Sequence, residues 1–176
     1  MRAVMDEPHT FGIVGLLGWP VAHSRSPLIH NHWLARYGIA GRYVLFPVLP
    51  EKLPDALKGI AALGMRGCNV TTPHKQAVMP LIDHVDPLAK RIGAVNTVWR
   101  KAGKWRGSNT DAAGVTVPLA RHVQLSQVSV LLVGNGGAAP GAACDPADAV
   151  ATSAHVGSNA DRVCALAELC SAHDPV

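Results

Sequence analysis

The sequence predicts an α/β fold in two units that meet near residue 125. Segments with strand patterns alternate with segments of helical periodicity, which is typical of a mostly parallel α/β layer. The length of 176 residues suits one domain, or one domain and part of another. The composition changes at the same place: residues 1–125 carry 15 Lys and Arg against 7 Asp and Glu, whereas residues 126–176 carry one against five. All eight aromatic residues lie at or before Trp105.

The overall composition indicates a folded protein without a membrane span. Hydrophobic residues make up 48% of the chain and charged residues 16%, with a formal net charge of +4, so a core can be buried. No run reaches the ~18 consecutive apolar residues of a membrane helix. The apolar stretch at residues 11–22 follows Asp6 and Glu7 rather than basic residues, which argues against a signal peptide. We therefore expect a cytoplasmic protein whose four cysteines are reduced.

Residues 11–82 alternate between strand and helix patterns. A helix is expected to begin at Ser26-Pro27, with Ser26 as its cap, and to close at Gly38. The side of this helix expected to face the core carries Trp33, Leu34 and Tyr37. Strands are expected at residues 11–17, 43–48 and 67–71, and further helices at residues 50–63 and from Pro73 to about Ile82.

Residues 95–176 continue with a hairpin and a second sheet. Residues 95–100 and 104–107 flank a turn at Gly103 and predict a hairpin. Residues 111–122 return to a helical pattern. Residues 128–133 are almost wholly apolar, so we expect a strand that is buried on both faces. A second strand at residues 152–157 and a helix at residues 160–169 complete the pattern.

The strand at residues 128–133 leads directly into a glycine-rich loop. A strand followed by G-x-G-x-x-G/A and a helix is the dinucleotide fingerprint: the first glycine makes the turn, the second admits the pyrophosphate, and the third small residue lets helix and strand pack. We therefore interpret the loop as the cofactor-binding segment of a Rossmann-type unit. This unit is incomplete, because the sequence offers only its first two strands. The residues of the loop are Gly134, Asn135, Gly136, Gly137, Ala138 and Ala139.

Four short polar motifs interrupt the apolar elements of residues 1–125. Each lies where a strand gives way to a loop or helix, which is where α/β sheets present ligand-binding groups. Together they supply hydroxyls, carboxamides, an amine and a carboxylate, a set that suits a small polyhydroxylated acid. The motifs are Ser24-x-Ser26-Pro27, Asn69-Val70-Thr71-Thr72-Pro73-His74-Lys75, Gly93-Ala94-Val95-Asn96-Thr97 and Asn109-Thr110-Asp111.

These four motifs, in this order and followed by the glycine loop, resemble the shikimate dehydrogenase family, which includes shikimate and quinate dehydrogenases. The resemblance extends from Gly15 to Glu168. It implies an N-terminal α/β substrate-binding domain at residues 1–125 and a partial Rossmann NADP-binding domain at residues 126–176. The implied reaction is the NADP-dependent reduction of 3-dehydroshikimate to shikimate, in the synthesis of chorismate and aromatic amino acids. The resemblance further implies a chain truncated at its C terminus.

The resemblance also implies roles for individual residues. Lys75 is the implied catalytic residue. Hydride addition to a ketone leaves an alkoxide that needs a proton; a lysine can supply it, because burial lowers the pKa of an ammonium group and a neighbouring carboxylate orients it. We therefore expect Lys75 to be the general acid/base and Asp111 its partner. The residues expected to bind the substrate carboxylate are Ser24 and Ser26, and those expected to contact the ring hydroxyls are Asn69, Thr71, Asn96 and Asp111.

Alternatives stay open for the cofactor and for the activity. In NADP-using relatives an arginine follows the second Rossmann strand, whereas residues 157–161 hold none and Arg162 comes later, so NAD is an alternative cofactor. Pro140 and Pro146 also fall in the helix expected after the glycine loop. A second hypothesis is a catalytically inactive paralogue that only binds shikimate-like ligands. A third is a purely structural α/β domain, which leaves the polar motifs unexplained.

The partners implied by the sequence are small molecules. The chain has no basic run with interleaved aromatic residues, so nucleic acid is not expected, and no membrane partner is indicated. His30 and His32 point in divergent directions on a helix and no further ligand completes a set, so no metal site is expected. A homodimer is one expectation for the assembly.

Overall fold

A computed structural model describes residues 11–124, 127, 129–133 and 152–156. It contains a six-stranded sheet and a two-stranded sheet, which confirms the α/β class. The strands of the larger sheet are β1 (Gly12–Gly18), β2 (Gly41–Pro47), β3 (Gly67–Val70), β4 (His84–Val85), β5 (Thr97–Lys101) and β6 (Lys104–Ser108). The helices are α1 (Ser26–Arg36), α2 (Leu53–Ala62), α3 (His74–Ala77), α4 (Pro87–Ile92) and α5 (Asp111–Leu119). None of these helices is long and apolar enough to cross a membrane.

The strand order of the larger sheet brings the polar motifs together. The order is β2-β1-β3-β5-β6-β4, with β1 parallel to both β2 and β3 and with β5 antiparallel to both β3 and β6. The sheet is therefore more mixed than the predicted, mostly parallel layer. In such a sheet the ends of β1, β3 and β6 and the start of β5 share one edge. All four polar motifs follow or precede these strand ends.

The main core lies between the sheet and α2. The helix predicted at residues 50–63 is present as α2, and Leu53, Leu57 and Ile60 on one side of it are buried. It packs with sheet residues such as Leu17 and Val98. Removing this apolar surface from water stabilises the layer by roughly 25 cal/mol per Å². The core thus forms on the face of the sheet away from α1.

The predicted hairpin is confirmed as β5 and β6. Ala102 and Gly103 at its turn have positive φ angles of 51° and 76°. Two successive positive φ values characterise the type I′ turn, whose twist matches that of the paired strands. Two short elements next to the hairpin, β4 and α4, were not predicted.

One helix prediction is wrong in its length. The helix expected from Pro73 to about Ile82 is split into α3 and a separate 3₁₀ turn at Met79–Leu81. Pro80 explains the break, because proline has no N–H to donate to the carbonyl of Gln76 and disfavours a helical residue before it.

The start of α1 also differs from the prediction. Ser26 is the first helical residue rather than the cap, and the helix has no side-chain cap. Instead, the Ser24 hydroxyl accepts a hydrogen bond from the backbone N–H of Ser26 at 3.2 Å. Both serine side chains therefore lie at the exit of the loop that follows β1.

The prediction of which side of α1 faces the core is wrong as well. Trp33 and Tyr37 are exposed, and no residue of this helix is fully buried. Leu34 is partly buried against Leu16, Val21 and Tyr43. The physical reason is position, because α1 packs mainly on β2, the edge strand of the sheet. An edge strand leaves much of a covering helix open to solvent.

A second, two-stranded sheet follows in the chain. β7 (Ser129–Val133) pairs in parallel with β8 (Thr152–Val156), which confirms both predicted strands. The expected burial of β7 on both faces is wrong, since Leu131 and Val133 are exposed. Side chains two residues apart share one face of a strand, so that face is open. The glycine loop at residues 134–139 and the helix expected at residues 160–169 lie outside the described residues.

Candidate functional site

The site lies at the sheet edge where β1 and β3 end and β5 begins. Asn69 of β3 is level with Thr97 of β5, and Thr97 is level with Ser108 of β6. The sequence folds in this way because the hairpin turn returns β6 to the start of β5. Asn109, Thr110 and Asp111 follow β6 immediately, so they lie beside the residues that follow β3.

Lys75 and Asp111 form an ion pair at this edge. The Lys75 Nζ donates to Asp111 Oδ2 at 2.6 Å, and the two side chains are 16% and 30% exposed. The Lys75 backbone carbonyl accepts from the Val95 N–H at 2.8 Å, which ties α3 to the segment before β5. Asp111 is the first residue of α5, and its N–H donates to Asn109 Oδ1 at 2.9 Å. Both charged groups are thus held by local structure.

Asn96 completes the surroundings of the carboxylate. Its Nδ2 donates to Asp111 Oδ1 at 2.8 Å and to Thr110 Oγ1 at 2.9 Å. Its Oδ1 accepts from the Thr97 hydroxyl at 2.8 Å and from the Thr110 N–H at 3.1 Å. Each oxygen of Asp111 therefore has its own donor.

Asn69 and Tyr43 extend the cluster across the sheet. The Tyr43 hydroxyl donates to Asn69 Oδ1 at 2.9 Å, and Asn69 Nδ2 donates to Thr97 Oγ1 at 3.1 Å. Burial raises the pKa of Tyr43 to about 12; the charge on Cys68 adds to the rise, and a hydrogen bond with Ser26 opposes it. The hydroxyl of Tyr43 is therefore protonated in ordinary buffers.

The serine pair joins the same cluster at its other end. The Ser24 hydroxyl donates to Ser26 Oγ at 3.1 Å, and Ser26 is near enough to the Tyr43 hydroxyl to act on its pKa. The resulting chain of polar side chains has two ends, the serines and the ion pair. It runs through Ser24, Ser26, Tyr43, Asn69, Thr97, Asn96, Asp111 and Lys75.

The structure thus brings together six of the seven residues predicted for substrate and catalysis. The seventh, Thr71, is half-buried next to β3, and its backbone N–H donates to the Leu17 carbonyl at 2.9 Å. Among the described residues, no hydrogen bond links the Thr71 hydroxyl to this chain of side chains. The predicted cofactor residues Gly134, Asn135, Gly136, Gly137, Ala138 and Ala139 lie outside the described part.

Two members of the cluster were missed from the sequence. Thr97 lies in one of the four polar motifs, so its hydroxyl next to Asn96 could have indicated that it belongs to the site. Tyr43 lies in an apolar strand far from any motif, and only the sheet order places it beside Asn69. No local pattern could have found it.

The site combines an ammonium group, paired with a carboxylate, with several hydroxyl and carboxamide groups. An ammonium beside a carboxylate can pass a proton to a nascent alkoxide. Hydroxyl and carboxamide groups in a fixed network can recognise the hydroxyls of a ligand. Within the described residues, no group of three metal-ligating side chains is present.

Sequence comparison with known proteins agrees with the motifs. The family model of the shikimate dehydrogenase substrate binding domain matches residues 16–98. A shikimate dehydrogenase (NADP(+)) of Paramagnetospirillum magneticum is 47% identical over 141 residues, covering 78% of this chain and 51% of the relative. One from a Geobacillus strain is 49% identical over 131 residues, covering 73% and 47%. The chain spans about half the length of the curated relatives it matches.

Structural comparison gives the same family. The structure of shikimate 5-dehydrogenase from Thermus thermophilus in complex with shikimate has a TM-score of 0.83 at 36% identity, covering 91% of this chain and 61% of that chain. Ligand-free 5-ketofructose reductase of Gluconobacter has a TM-score of 0.87 at 30% identity, covering 94% and 60%. Motif order, sequence identity and fold agree, and together they show that this chain belongs to the shikimate dehydrogenase family.

Proposed function

We propose that this chain binds shikimate and 3-dehydroshikimate and acts in their NADP-dependent interconversion. The observation that carries the proposal is the 2.6 Å ion pair of Lys75 and Asp111 at one end of the polar cluster. Family membership supports it, since the relatives are named shikimate dehydrogenase (NADP(+)). The reaction belongs to the synthesis of chorismate and aromatic amino acids.

The substrate roles follow the two ends of the cluster. Ser24 and Ser26 bind the ligand carboxylate with their hydroxyls. Asn69, Thr71 and Asn96 bind ring hydroxyls, and the ketone or alcohol to be converted lies at Lys75 and Asp111. Because the serines are hydrogen-bonded to each other and a hydrogen-bonded chain joins Tyr43 to the ion pair, a ligand spanning both ends would meet a preorganised surface.

The proton in this mechanism comes from Lys75. During reduction the carbonyl carbon receives a hydride with its electron pair, and the carbonyl oxygen becomes an alkoxide. Lys75 Nζ donates one proton to that oxygen, while Asp111 keeps the amine at this position. In the reverse direction Lys75 accepts the hydroxyl proton as the hydride leaves.

NADP is the proposed cofactor, and NAD is the alternative. When bound, it supplies or receives the hydride. The glycine loop at residues 134–139 would hold it, since β7 precedes that loop and pairs in parallel with β8. Parallel pairing is what a βαβ dinucleotide unit requires. The proposal thus divides the chain into a substrate-binding domain at residues 1–125 and a partial Rossmann domain at residues 126–176.

The proposal extends to the setting of the protein. A small acid and a dinucleotide are cytoplasmic metabolites, so we place the chain in the cytoplasm. A homodimer is the proposed assembly. Size-exclusion chromatography with light scattering measures the assembly directly, and a monomer at micromolar concentration would contradict it.

The test of the function separates binding from turnover. The 176-residue chain is titrated with shikimate by calorimetry and then assayed for NADP reduction with shikimate. Lys75→Ala should lower turnover about 10²–10⁴-fold and change the shikimate Kd much less. Lys58→Ala, which removes an exposed lysine of α2, is the matched control and should change neither.

Each outcome of this test decides a hypothesis. Turnover by the wild-type chain supports the dehydrogenase. Binding without turnover supports the paralogue that only binds shikimate-like ligands. Neither binding nor turnover with shikimate would contradict both. Because a 5-ketofructose reductase shares the fold, 5-ketofructose and quinate are titrated alongside as competing ligands.

A further inference from the structure

Tyr43 of β2 connects the two ends of the polar cluster. Its side chain is 3% exposed. It interacts with Ser26 on one side, and its hydroxyl donates to Asn69 Oδ1 on the other. A buried hydroxyl that donates to another side chain has a specific place in the network rather than a solvent contact.

From Tyr43 onward, each side chain of the cluster donates a hydrogen bond to the next one in the direction of Asp111. The Ser24 hydroxyl donates to Ser26, the Tyr43 hydroxyl to Asn69, and the Asn69 Nδ2 to Thr97. The Thr97 hydroxyl then donates to Asn96, whose Nδ2 donates to Asp111. A carboxylate only accepts hydrogen bonds, so Asp111 sets the direction from its end.

The Asn69 carboxamide is held at both of its ends: the Tyr43 hydroxyl donates to its Oδ1, and its Nδ2 donates to Thr97 Oγ1 and, at 3.5 Å, to the Asn96 backbone carbonyl. If the carboxamide were rotated, its Nδ2 would face the Tyr43 hydroxyl and its Oδ1 would face Thr97. Thr97 would then have to donate to Asn69 and give up its 2.8 Å bond to Asn96. The observed orientation keeps every bond of the network. It also leaves Asn69 Oδ1 with a second lone pair, since Tyr43 uses only one of the two.

We propose that Tyr43 is a positioning residue, which holds the Asn69 carboxamide so that its oxygen accepts a hydrogen bond from a ring hydroxyl of the ligand. The proposal rests on the proposed function for the identity of that ligand. Tyr43 itself acts through Asn69 and need not touch the substrate.

Helix α1 in turn holds Tyr43. Asn31 Nδ2 donates to the Tyr43 carbonyl and Asn31 Oδ1 accepts from the Tyr43 N–H, both at 2.9 Å. The carboxamide thus satisfies the backbone of the edge strand at the place where a further strand would pair. The His30 ring stacks on the Tyr43 ring at 4.1 Å, with the planes 5° apart. The same helix carries Ser26, so one element positions both Tyr43 and the serine end of the cluster.

The first experiment needs no ligand. The side-chain amide signals of Asn69 are recorded by ¹⁵N NMR in the wild-type chain, in Tyr43→Phe and in the control Tyr37→Phe, which changes an exposed tyrosine of the α1 end. In Tyr43→Phe these signals should shift and broaden, because Asn69 Oδ1 loses its donor and the carboxamide is held only through its Nδ2. In Tyr37→Phe they should be unchanged. Unchanged Asn69 signals in a folded Tyr43→Phe chain would overturn the proposal.

The second experiment measures affinity in a double-mutant cycle. Tyr43→Phe should weaken shikimate binding about tenfold, within the range for one lost hydrogen bond. In an Asn69→Ala background the same change should weaken it less than about twofold, because the group it positions is gone. Equal losses in both backgrounds would show that Tyr43 acts without Asn69. Absence of shikimate binding by the wild-type chain would contradict the proposed function, and the NMR result would still decide the role of Tyr43.

A third measurement covers the case in which Tyr43→Phe does not fold. The chain has only two tyrosines, so biosynthetic 3-fluorotyrosine gives two ¹⁹F signals, and Tyr37→Phe assigns them. Asn69→Ala should shift the Tyr43 signal and leave the Tyr37 signal in place. A Tyr43 signal that does not respond would count against the contact and against the proposal.

Discussion

Asp111 is the residue on which the polar cluster converges. One of its oxygens accepts from Lys75 and the other from Asn96. The ion pair is partly buried, so removing one partner leaves the other charge without compensation. The same contacts that hold the proton donor of the proposed mechanism therefore also stabilise the fold.

We expect Asp111→Asn to lower the free energy of unfolding by about 1–3 kcal/mol. An asparagine can accept from only one of the two donors, and its own N–H₂ then faces the other. Asp55→Asn is the matched control, because Asp55 is exposed and lies 3.9 Å from Lys58; its effect should be below about 0.5 kcal/mol. Urea unfolding measures both, and equal effects would contradict this assignment.

Most residues of the site were predictable, but one that orients them was not. Lys75, Asn96 and Asp111 stand in recognisable motifs, and the structure joins them directly. Tyr43 lies 26 residues before Asn69 in the chain, and the contact exists only because β1 lies between β2 and β3 and holds these two strands at a fixed spacing. Long-range pairing of this kind has no local sequence signal.

At the scale of elements, β3 carries the site because it lies between β1 and β5. Its first residue, Gly67, sits directly against β5: a Cβ there would meet the Val98 carbonyl and the Trp99 Cα. A side chain at this position would separate the two strands and shift Asn69 relative to Thr97. The glycine is therefore required by the close approach of the strands.

We expect Gly67→Ala to lower the free energy of unfolding by about 1–3 kcal/mol, as overpacking against a backbone does. Gly59→Ala is the matched control, because a Cβ at Gly59 in α2 meets nothing within 4 Å. It should raise the free energy of unfolding by about 0.5–1 kcal/mol, since alanine is the better helix former. Thermal or urea unfolding of both variants measures the difference, and two effects of the same sign would contradict the explanation.

Helix predictions succeeded or failed for identifiable reasons. The helix predicted at residues 50–63 was confirmed as α2, and its apolar side is buried because it covers the middle of the sheet. The prediction of the core-facing side of α1 was wrong, because the position of this helix over the edge strand leaves Trp33 and Tyr37 exposed. Periodicity tells which residues share a face, and only packing tells how much of that face is covered.

At the scale of the whole molecule, two buried ionisable groups link stability to pH. Burial raises the pKa of the Cys68 thiol to about 12 from 9.0, and burial together with the Cys68 charge raises the pKa of Tyr43 to about 12 from 10.0. The folded chain therefore holds both protons more tightly than the unfolded chain. The stability that this contributes is complete below about pH 9 and is lost as the pH rises toward about 12.

We expect the free energy of unfolding to fall between about pH 9 and about pH 12. The rise in pKa corresponds to at most about 4 kcal/mol for Cys68 and at most about 3 kcal/mol for Tyr43. Cys68→Ala should remove the part of the fall that begins near pH 9, and urea unfolding under reducing conditions at several pH values measures it. Parallel pH curves for the wild type and this variant would contradict the buried thiolate as the cause.

By itself, the sequence determined the α/β class, the order of most elements, the four polar motifs and, through them, the family. Local patterns suffice for this, because strand alternation, helical periodicity and motif spacing are all read along the chain. Only the tertiary structure decided that the sheet is mixed, that α1 covers an edge, and that Tyr43 orients Asn69. These features depend on which strands become neighbours, and that choice is made by burial and hydrogen bonding between residues far apart in the chain.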